Sequence, residues 1–496
     1  MITVQELMHE SGVAFGTSGA RGMVSAMTDR VCYGYTLGFL RYMAEEGEFS
    51  PGGAVALAGD LRPSTPRILA ACARAIRDSG GTPVFCGYVP TPALALYAFA
   101  RGIPSLMVTG SHIPADRNGI KFYRSAGEVL KADEAGMSRQ PLDLGADTFT
   151  ASGALASAEP LPPVTDVEDA YVQRYLDHFG AGALNGKRIG VYQHSAVGRD
   201  VLARIARELG ADVALLGRSE TFIPVDTEAI RPEDIALAHA WAADGQFDAI
   251  ISTDGDSDRP LLADETGKWL RGDVLGILCA QRVGATSVVT PVSSNTALER
   301  SGRFARCRRT RIGSPYVIAA MGEEQADSAA IVCGYEANGG FLLASAIAGA
   351  NGTTTAALPT RDAVLPILAV LTAAAPSVSA QLASLPARFT FSDRIAPFAQ
   401  DASRALLGRL LAGDAAAQLA EQTRLFGRFA GAAQALDLTD GIRATFEGGQ
   451  IIHLRPSGNA PELRCYTEAA SEDEAAALNA EVLAVISHQA NLAGSA

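Results

Sequence analysis

Short runs of consecutive apolar residues recur along the chain, separated by stretches with a helical period. Runs bounded by turn-forming residues read as buried strands, and apolar positions three and four apart read as one face of a helix. Near the N-terminus, Val4, Leu7 and Met8 mark a short amphipathic helix. Strands at Ala54–Leu57, Pro83–Cys86 and Leu106–Val108 then alternate with helices at Val31–Ala44, Arg67–Ser79 and Pro92–Ala100. A second series runs through helix Val167–Phe179, strand Arg188–Tyr192, a helix near Gly198–Leu209, strand Asp212–Leu216, helix Pro232–Ala243 and strand Asp248–Ser252. A third starts near Ala263, with helix Asp273–Gln281, strand Ser287–Thr290, helices Ser294–Arg300 and Tyr316–Gly322, strand Ala330–Cys333 and helix Ala363–Ala374. Such alternation is the signature of α/β domains with parallel strands.

From about residue 387 the pattern changes. Strand-like runs at Arg388–Phe391, Ile442–Phe446, Ile451–Leu454 and Leu463–Thr467 mix with helices Ala402–Ala412 and Glu472–Ala490, which predicts an α+β domain. Gly145–Pro163 and Pro376–Pro386 are small-residue and proline-rich and read as linkers. The expected division is 1–155, 156–262, 263–380 and 387–496.

Composition narrows the class. The 496 residues are 48% apolar and 19% charged, which suits globular domains with sizeable cores rather than disorder. A net charge of −13 argues against nucleic acid or an anionic membrane as the main partner, while a local cluster of Arg and Lys still allows an anionic substrate. The seven cysteines are scattered without a CxxC pair, so a disulfide framework or zinc site is not expected. No signal peptide or membrane span is expected, and the predicted location is the cytoplasm.

Candidate chemistry lies where apolar runs end. The stretch LMVTGSHIPADRNGIKFY places Ser111 between Gly110 and His112, with Lys121 ten residues on. That layout puts one hydroxyl at the open end of a sheet, where it can hold a phosphate or carry one covalently. FGTSGARG, ending in Arg21 and Gly22, resembles an anion-cradling turn of backbone N–H groups plus a guanidinium. Asp254, Asp256 and Asp258 follow a strand directly and precede Arg259. On a straight strand, alternate carboxylates would lie about 7 Å apart per step. Curled in a loop, they suit a hard cation such as Mg²⁺. An EF-hand is disfavoured, because Arg259 stands where that loop needs glycine and a strand precedes it. Glu336 and Asn338, among glycines, can serve sugar hydroxyls or form a plain turn. Arg455, Ser457, Gly458 and Asn459, with Arg464, supply donors for a second phosphate. His178, His194 and His453 read as structural, and Asp60 with Arg62 as an ion pair near the serine.

Taken in order, FGTSGARG, TGSHIPADRNGIKFY, DGDSDRP, GYEANGG and RPSGNAPELR resemble the loops of the α-D-phosphohexomutases, a family spanning phosphomannomutases, phosphoglucomutases and phosphoglucosamine mutases. The resemblance covers the whole chain. It implies three similar α/β domains with mixed sheets and a smaller C-terminal α+β domain around a central cleft. It implies a phosphoserine at Ser111 and Mg²⁺ held by that group with Asp254, Asp256 and Asp258. Glu336 and Asn338 would select sugar hydroxyls. Arg455, Ser457, Gly458, Asn459 and Arg464 would grip the non-reacting phosphate, and Arg21, His112, Lys121 and Arg259 would line the transfer site. The implied reaction interconverts hexose 6-phosphate and hexose 1-phosphate through a hexose 1,6-bisphosphate, with a sugar phosphate as the small-molecule partner. Lys121 and His112 are both candidates for the proton transfer. The overall resemblance favours the phosphomannomutases; glucose and glucosamine phosphates are the alternatives, and a catalytically inactive sugar-phosphate binder is the alternative of another class.

The chain departs from the family pattern at named positions. Ile113 stands where Asn is usual, and Asn459 and Ala460 replace Thr and Glu in the phosphate loop. Asn338 stands where Ser is common and Gly340 where His is common, and Gly313-Ser314-Pro315-Tyr316 replaces a His-bearing element. These changes bear on substrate preference more than on reaction class.

Overall fold

The computed structural model describes residues 2–16, 19–145, 147–326, 331–457 and 461–494. The chain forms two compact units, one of residues 1–288 and 313–382, the other of residues 289–312 and 383–496. The fold class is multidomain α/β, with mixed rather than purely parallel sheets.

In the first unit a six-stranded sheet runs Ala14–Phe15, Ala20–Met23, Arg117–Tyr123, Ser105–Val108, Ala54–Gly59 and Thr82–Tyr88. Ala54–Gly59 pairs in parallel with Ser105–Val108 and Thr82–Tyr88, as the alternation predicts. Arg117–Tyr123 then pairs antiparallel with Ser105–Val108 and with Ala20–Met23. The sheet around Ser111 is therefore mixed, as the family resemblance implies, rather than purely parallel as the alternation alone suggests. The residues after the serine return as a strand because Ile120 and Phe122 alternate inward into the core with Leu57, Leu106 and Val108. Lys121, between them, faces the other side.

Helix Asp29–Glu45 is capped by the Thr28 side chain and packs on helix Thr65–Asp78, which opens with Pro66 in its first turn. A second, four-stranded sheet has the order Asp212–Arg218, Arg188–His194, Ala249–Thr253, Pro260–Ala263. Its last strand is antiparallel, so the chain turns back between Thr253 and Pro260. Val332–Tyr335, Phe341–Leu343 and Leu358–Asp362 pair antiparallel, and helices Gly272–Arg282 and Val364–Leu371 pack together beside them.

The second unit carries a five-stranded antiparallel sheet that includes Phe389–Ile395, Leu463–Ala469, Ile451–Pro456 and Ile442–Phe446. Its core joins Phe446, Leu454 and Cys465 to Phe426, Val482 and Ile486 of helices Ala415–Ala430 and Glu472–Gly494.

Several expectations need correction. Ser294–Arg300 is helical only over Ala297–Arg300, because Ser294 and Asn295 hydrogen-bond in the preceding turn. Helix Ala415–Ala430, rich in alanine, has no counterpart among the predicted elements. The linker at Pro376–Pro386 contains a short helix, Val378–Ala383. Position 330, the expected start of one strand, lies outside the described residues; the strand they show is Val332–Tyr335. Six of the seven cysteines are buried, and none is paired.

Candidate active site

The serine loop is built by the strand that precedes it. Ser105–Val108 delivers Thr109, whose hydroxyl donates to Asp60 Oδ2 at 2.8 Å and accepts the Ser111 N–H at 2.8 Å. Ser111 adopts φ of 56°, a left-handed conformation that costs about 1–2 kcal/mol for a non-glycine residue. Arg62 holds it there. Its Nη2 donates to the carbonyls of Ser111 (2.8 Å) and Ile113 (2.7 Å), and its Nη1 to those of Pro114 (2.8 Å) and Arg117 (2.9 Å). Nε pairs with Asp60 Oδ2 at 3.0 Å, both side chains being fully buried. The pair expected near the serine is therefore the clamp that shapes its loop. Gly110 is required beneath it, since a Cβ there would lie 2.5 Å from Arg62 Cζ. Ile113 takes part through its carbonyl, so the unusual side chain leaves the clamp intact.

Ser111 Oγ donates to Asp254 Oδ2 at 2.6 Å. The aspartate loop curls as the metal reading required. Asp254 Oδ1 accepts the N–H groups of Asp258 and Arg259, both at 3.2 Å, and Ser257 turns the chain with φ of 58°. One oxygen from each of Asp254, Asp256 and Asp258 lies within 4.8 Å of the others, and all three residues are fully buried. Lys121 Nζ donates to Asp256 Oδ2 at 2.6 Å and Asp258 Oδ2 at 2.5 Å, and Thr91 adds a bond to Asp256 Oδ2 at 2.6 Å. Asp256 Oδ1 and Asp258 Oδ1 are buried without a hydrogen-bond partner. Two orphaned carboxylate oxygens beside a third carboxylate form an all-oxygen donor set that fits a hard divalent cation. Burial, reinforced by Asp256 and Asp258, raises the Asp254 carboxyl well above the usual range. Burial also opposes ionisation of Asp256, yet Lys121 and the Thr91 bond hold that carboxyl below its usual range.

Arg259 Nη1 donates to His112 Nδ1 at 2.8 Å. A guanidinium cannot accept, so Nδ1 is the bare nitrogen and the ring is neutral. Burial and the Arg259 and Arg21 cations accordingly push His112 well below its ordinary value. Arg21, in register with Gly119 on the neighbouring strand, is lowered to about 10 by burial and by Arg259 and Arg361, and stays charged at neutral pH. Thr17 and Ser18 of that turn lie outside the described residues.

Glu336 and Asn338 are buried side by side in a tight turn. Asn338 Oδ1 accepts the Gly340 N–H at 2.9 Å, and Thr227 Oγ1 donates to the Asn338 carbonyl at 2.7 Å. One residue missed in the sequence is Arg361, 1% exposed, whose Nε reaches Asp258 Oδ2 at 3.1 Å and whose Nη1 reaches Glu336 Oε2 at 3.2 Å. Its neighbours are also tied: Thr360 Oγ1 donates to Glu128 Oε1 at 2.7 Å, and Asp362 accepts the hydroxyls of Tyr171 (3.0 Å) and Tyr175 (2.6 Å). Glu128 Oε2 accepts from Ser314 at 2.9 Å, which gives the departure at Gly313–Tyr316 a structural partner. The only sequence signal was TRD, one arginine among many.

In the second unit, Arg455, Arg464 and Arg394 sit opposite one another on adjacent strands. Arg455 pairs with Asp440 at 2.9 Å, and Glu462 lies 3.7 Å from Arg464 and 3.4 Å from Arg394. Three arginines in a row cost repulsion unless an anion shares them. Arg394 was not singled out in the sequence. Ser457 is buried, and its N–H donates to the Glu462 carbonyl at 2.9 Å. Gly458, Asn459 and Ala460 lie outside the described residues. His194 and His453 are structural as expected: Nε2 of each bonds a backbone carbonyl, Thr253 at 2.8 Å and Asp440 at 2.6 Å. Glu265, which stands where an EF-hand loop starting at Asp254 would place its last carboxylate, accepts from Ser379 N and Oγ.

A multidomain α/β fold that sets a clamped serine against a buried carboxylate triad defines an enzyme built for group transfer. Models of the four domains of phosphoglucomutase/phosphomannomutase match in order: the α/β/α domain I over residues 12–139, domain II over 169–267, domain III over 271–389 and the C-terminal domain over 413–485. The chain is 46% identical over 483 residues to a phosphomannomutase of Sinorhizobium fredii, covering 96% of this chain and 99% of that one. It is 43% identical over 482 residues to a phosphomannomutase of Salmonella muenchen, covering 97% of each. A phosphoglucomutase/phosphomannomutase family protein from Burkholderia thailandensis shares the fold, with a TM-score of 0.71 at 19% identity over 98% of both chains. The chain belongs to the phosphoglucomutase/phosphomannomutase family, the α-D-phosphohexomutases, and is an isomerase-class enzyme. No helix among the described residues is long and apolar enough to cross a membrane.

Proposed function

We propose that this enzyme is a phosphomannomutase, interconverting mannose 6-phosphate and mannose 1-phosphate through a phosphoserine at Ser111 and a hexose 1,6-bisphosphate. The observation that carries this reading is the 2.6 Å bond from Ser111 Oγ to Asp254 within the carboxylate triad. Near-full-length identity to two phosphomannomutases supports the sugar. In this reading the chain has four domains, divided near residues 155, 262 and 380–387, and works in the cytoplasm.

Asp254, Asp256, Asp258 and the Ser111 oxygen would hold Mg²⁺, which would supply charge neutralisation for the transferring phosphoryl group. The chain's own residues do the rest. Arg62 fixes the Ser111 backbone and Asp254 accepts its hydroxyl, so the reacting oxygen is already oriented. Arg21 and Arg259 offer guanidinium donors to equatorial phosphoryl oxygens. Transfer breaks the bond from phosphorus to Ser111 Oγ and forms one to a sugar hydroxyl, whose proton passes to a base. Lys121 and His112 are the candidates for that base: Lys121 stands paired with Asp256 and Asp258, and Arg259 occupies His112 Nδ1. The bisphosphate then turns over and returns its other phosphoryl group to Ser111. Glu336 and Asn338 select the sugar hydroxyls. Arg455, Ser457, Gly458, Asn459 and Arg464 grip the distal phosphate at either end of the sugar.

The test is intact-protein mass after incubation with mannose 1,6-bisphosphate and Mg²⁺, alongside coupled assays on mannose, glucose and glucosamine phosphates. One added phosphoryl group, lost in Ser111→Ala with at least about a ten-thousandfold fall in turnover, and highest kcat/KM on mannose phosphate are expected. A higher kcat/KM on glucose or glucosamine phosphate would overturn the sugar. Sugar-phosphate binding with no phosphoenzyme, or net phosphate release without isomerisation, would overturn the reaction.

A further inference from the structure

Gly340 and Arg361 fit each other. A Cβ at Gly340 would lie 2.6 Å from Arg361 Cδ, 2.7 Å from its Cγ and 3.2 Å from its Cβ, and no other residue comes closer. The arginine stem therefore runs over the only space a side chain at 340 could enter. Past that point its guanidinium bridges two carboxylates of different loops, Asp258 and Glu336. Both partners are buried: Arg361 is 1% exposed and Glu336 4%. The strand Leu358–Asp362 carries this cation, and the bonds of Thr360 and Asp362 on either side fix the strand end from which it extends.

We propose that Arg361 is a positioning residue that sets substrate specificity: it holds one oxygen of Glu336, so that the other meets the sugar hydroxyl in a single orientation, and Gly340 is the vacancy that admits it. The role rests on the reading of Glu336 as a sugar ligand. A carboxylate held by a charged donor is oriented far more tightly than a solvated one, and discrimination between epimers depends on where that carboxylate points. The link to Asp258 also ties the position of Glu336 to the triad beside the serine. Position 340, common as histidine in the family, is here given up to a cation from another strand.

The experiment is a double-mutant cycle on the full chain with Mg²⁺, using Arg361→Ala, Gly340→Ala and the pair, with Arg361→Lys as the conservative variant. Thermal midpoints, kcat and KM for mannose 6-phosphate and glucose 6-phosphate are measured for each. The expected result for Arg361→Ala is a loss of about ten- to a hundredfold in kcat/KM for mannose 6-phosphate, with a narrower ratio between the two sugars. Gly340→Ala keeps every charge and should cost several-fold in the native background and nothing further in Arg361→Ala. Arg361→Lys should recover part of the sugar discrimination. Multiplying effects of the two alanine variants, a silent Gly340→Ala, or an unchanged sugar ratio in the folded Arg361 variants would overturn the proposal while leaving the mutase reading in place. If Arg361→Ala does not fold, Gly340→Ala and Arg361→Lys decide by the same sugar ratio. A native enzyme inactive on every hexose phosphate would overturn the mutase reading, and this role with it.

Discussion

The serine site and the arginine row handle charge in opposite ways. In the first unit Ser111 and all three aspartates are fully buried, and Lys121 is 3% exposed. Arg62, Lys121 and Arg361 are each locked there to carboxylates at hydrogen-bond distance. In the second unit the Arg455 side chain is 18% exposed and that of Arg464 41%, and Glu462 lies 3.7 Å from Arg464. The buried cluster can hold atoms to a fraction of an ångström, because every displacement leaves a charge unpaired in a poor solvent. The arginine row is loosely paired and partly in water, where charge attracts an anion but positions it weakly. In the proposed reaction this division is useful. The transfer site must meet one geometry, and the distal grip must accept a phosphate from either end of the sugar.

The sharpest challenge to this contrast is Arg62→Lys. A lysine cannot reproduce donation to four carbonyls and Asp60, so a destabilisation of about 3 kcal/mol is expected, with loss of turnover, read by chemical denaturation and assay. A variant as stable as the native chain would show that the buried cluster is less tightly specified than its geometry implies.

Next comes acid. Burial lowers His178, His194 and His453 each to about 4, against an ordinary value near 6.5. The folded state excludes protons that the unfolded chain takes up, so this stability is complete above about 6.5 and is lost as the pH falls towards about 4. His194 and His453 each have a buried Nδ1 without a partner and stand behind one of the two loops, so the acid effect should appear in both units. Thermal midpoints followed across that window should fall, and His194→Gln or His453→Gln should flatten the dependence. A flat profile in the native chain would sink the assignment of these rings as neutral.

The smallest effect sharpens the contrast from the other side. Arg455→Met should raise KM for the sugar phosphate by about tenfold and change kcat by no more than about twofold, with the difference shrinking as salt is added. A fall in kcat without a change in KM would mean that the arginine row acts on the transfer step.

Much of the site was legible because its loops carry their chemistry in contiguous residues. DGDSDRP must curl to bring its carboxylates together, and TGSHIP must end a strand, so both could be placed from local pattern alone. The strand containing Lys121 was less visible, since its neighbours Asn118 and Gly119 read as a turn until the pairing with Ala20–Met23 is known. Arg361 and Glu128 were not legible at all. Each is one ionisable residue in an ordinary stretch, and its partners lie far away in sequence: Asp258 and Glu336 for one, Ser314 and Thr360 for the other.

By itself, then, the sequence determined the alternation of strands and helices, the order of the five loops and the residue types offered to a phosphate and a cation, because these follow from local periodicity and contiguous motifs. Only the tertiary structure decided which carboxylate faces Ser111, that His112 is neutral under Arg259, that Arg62 clamps the serine loop, and that the space left by Gly340 is filled from another strand. Those are pairings between distant segments, fixed by the burial of charge, and a buried charge must find its partner wherever the fold brings one within reach.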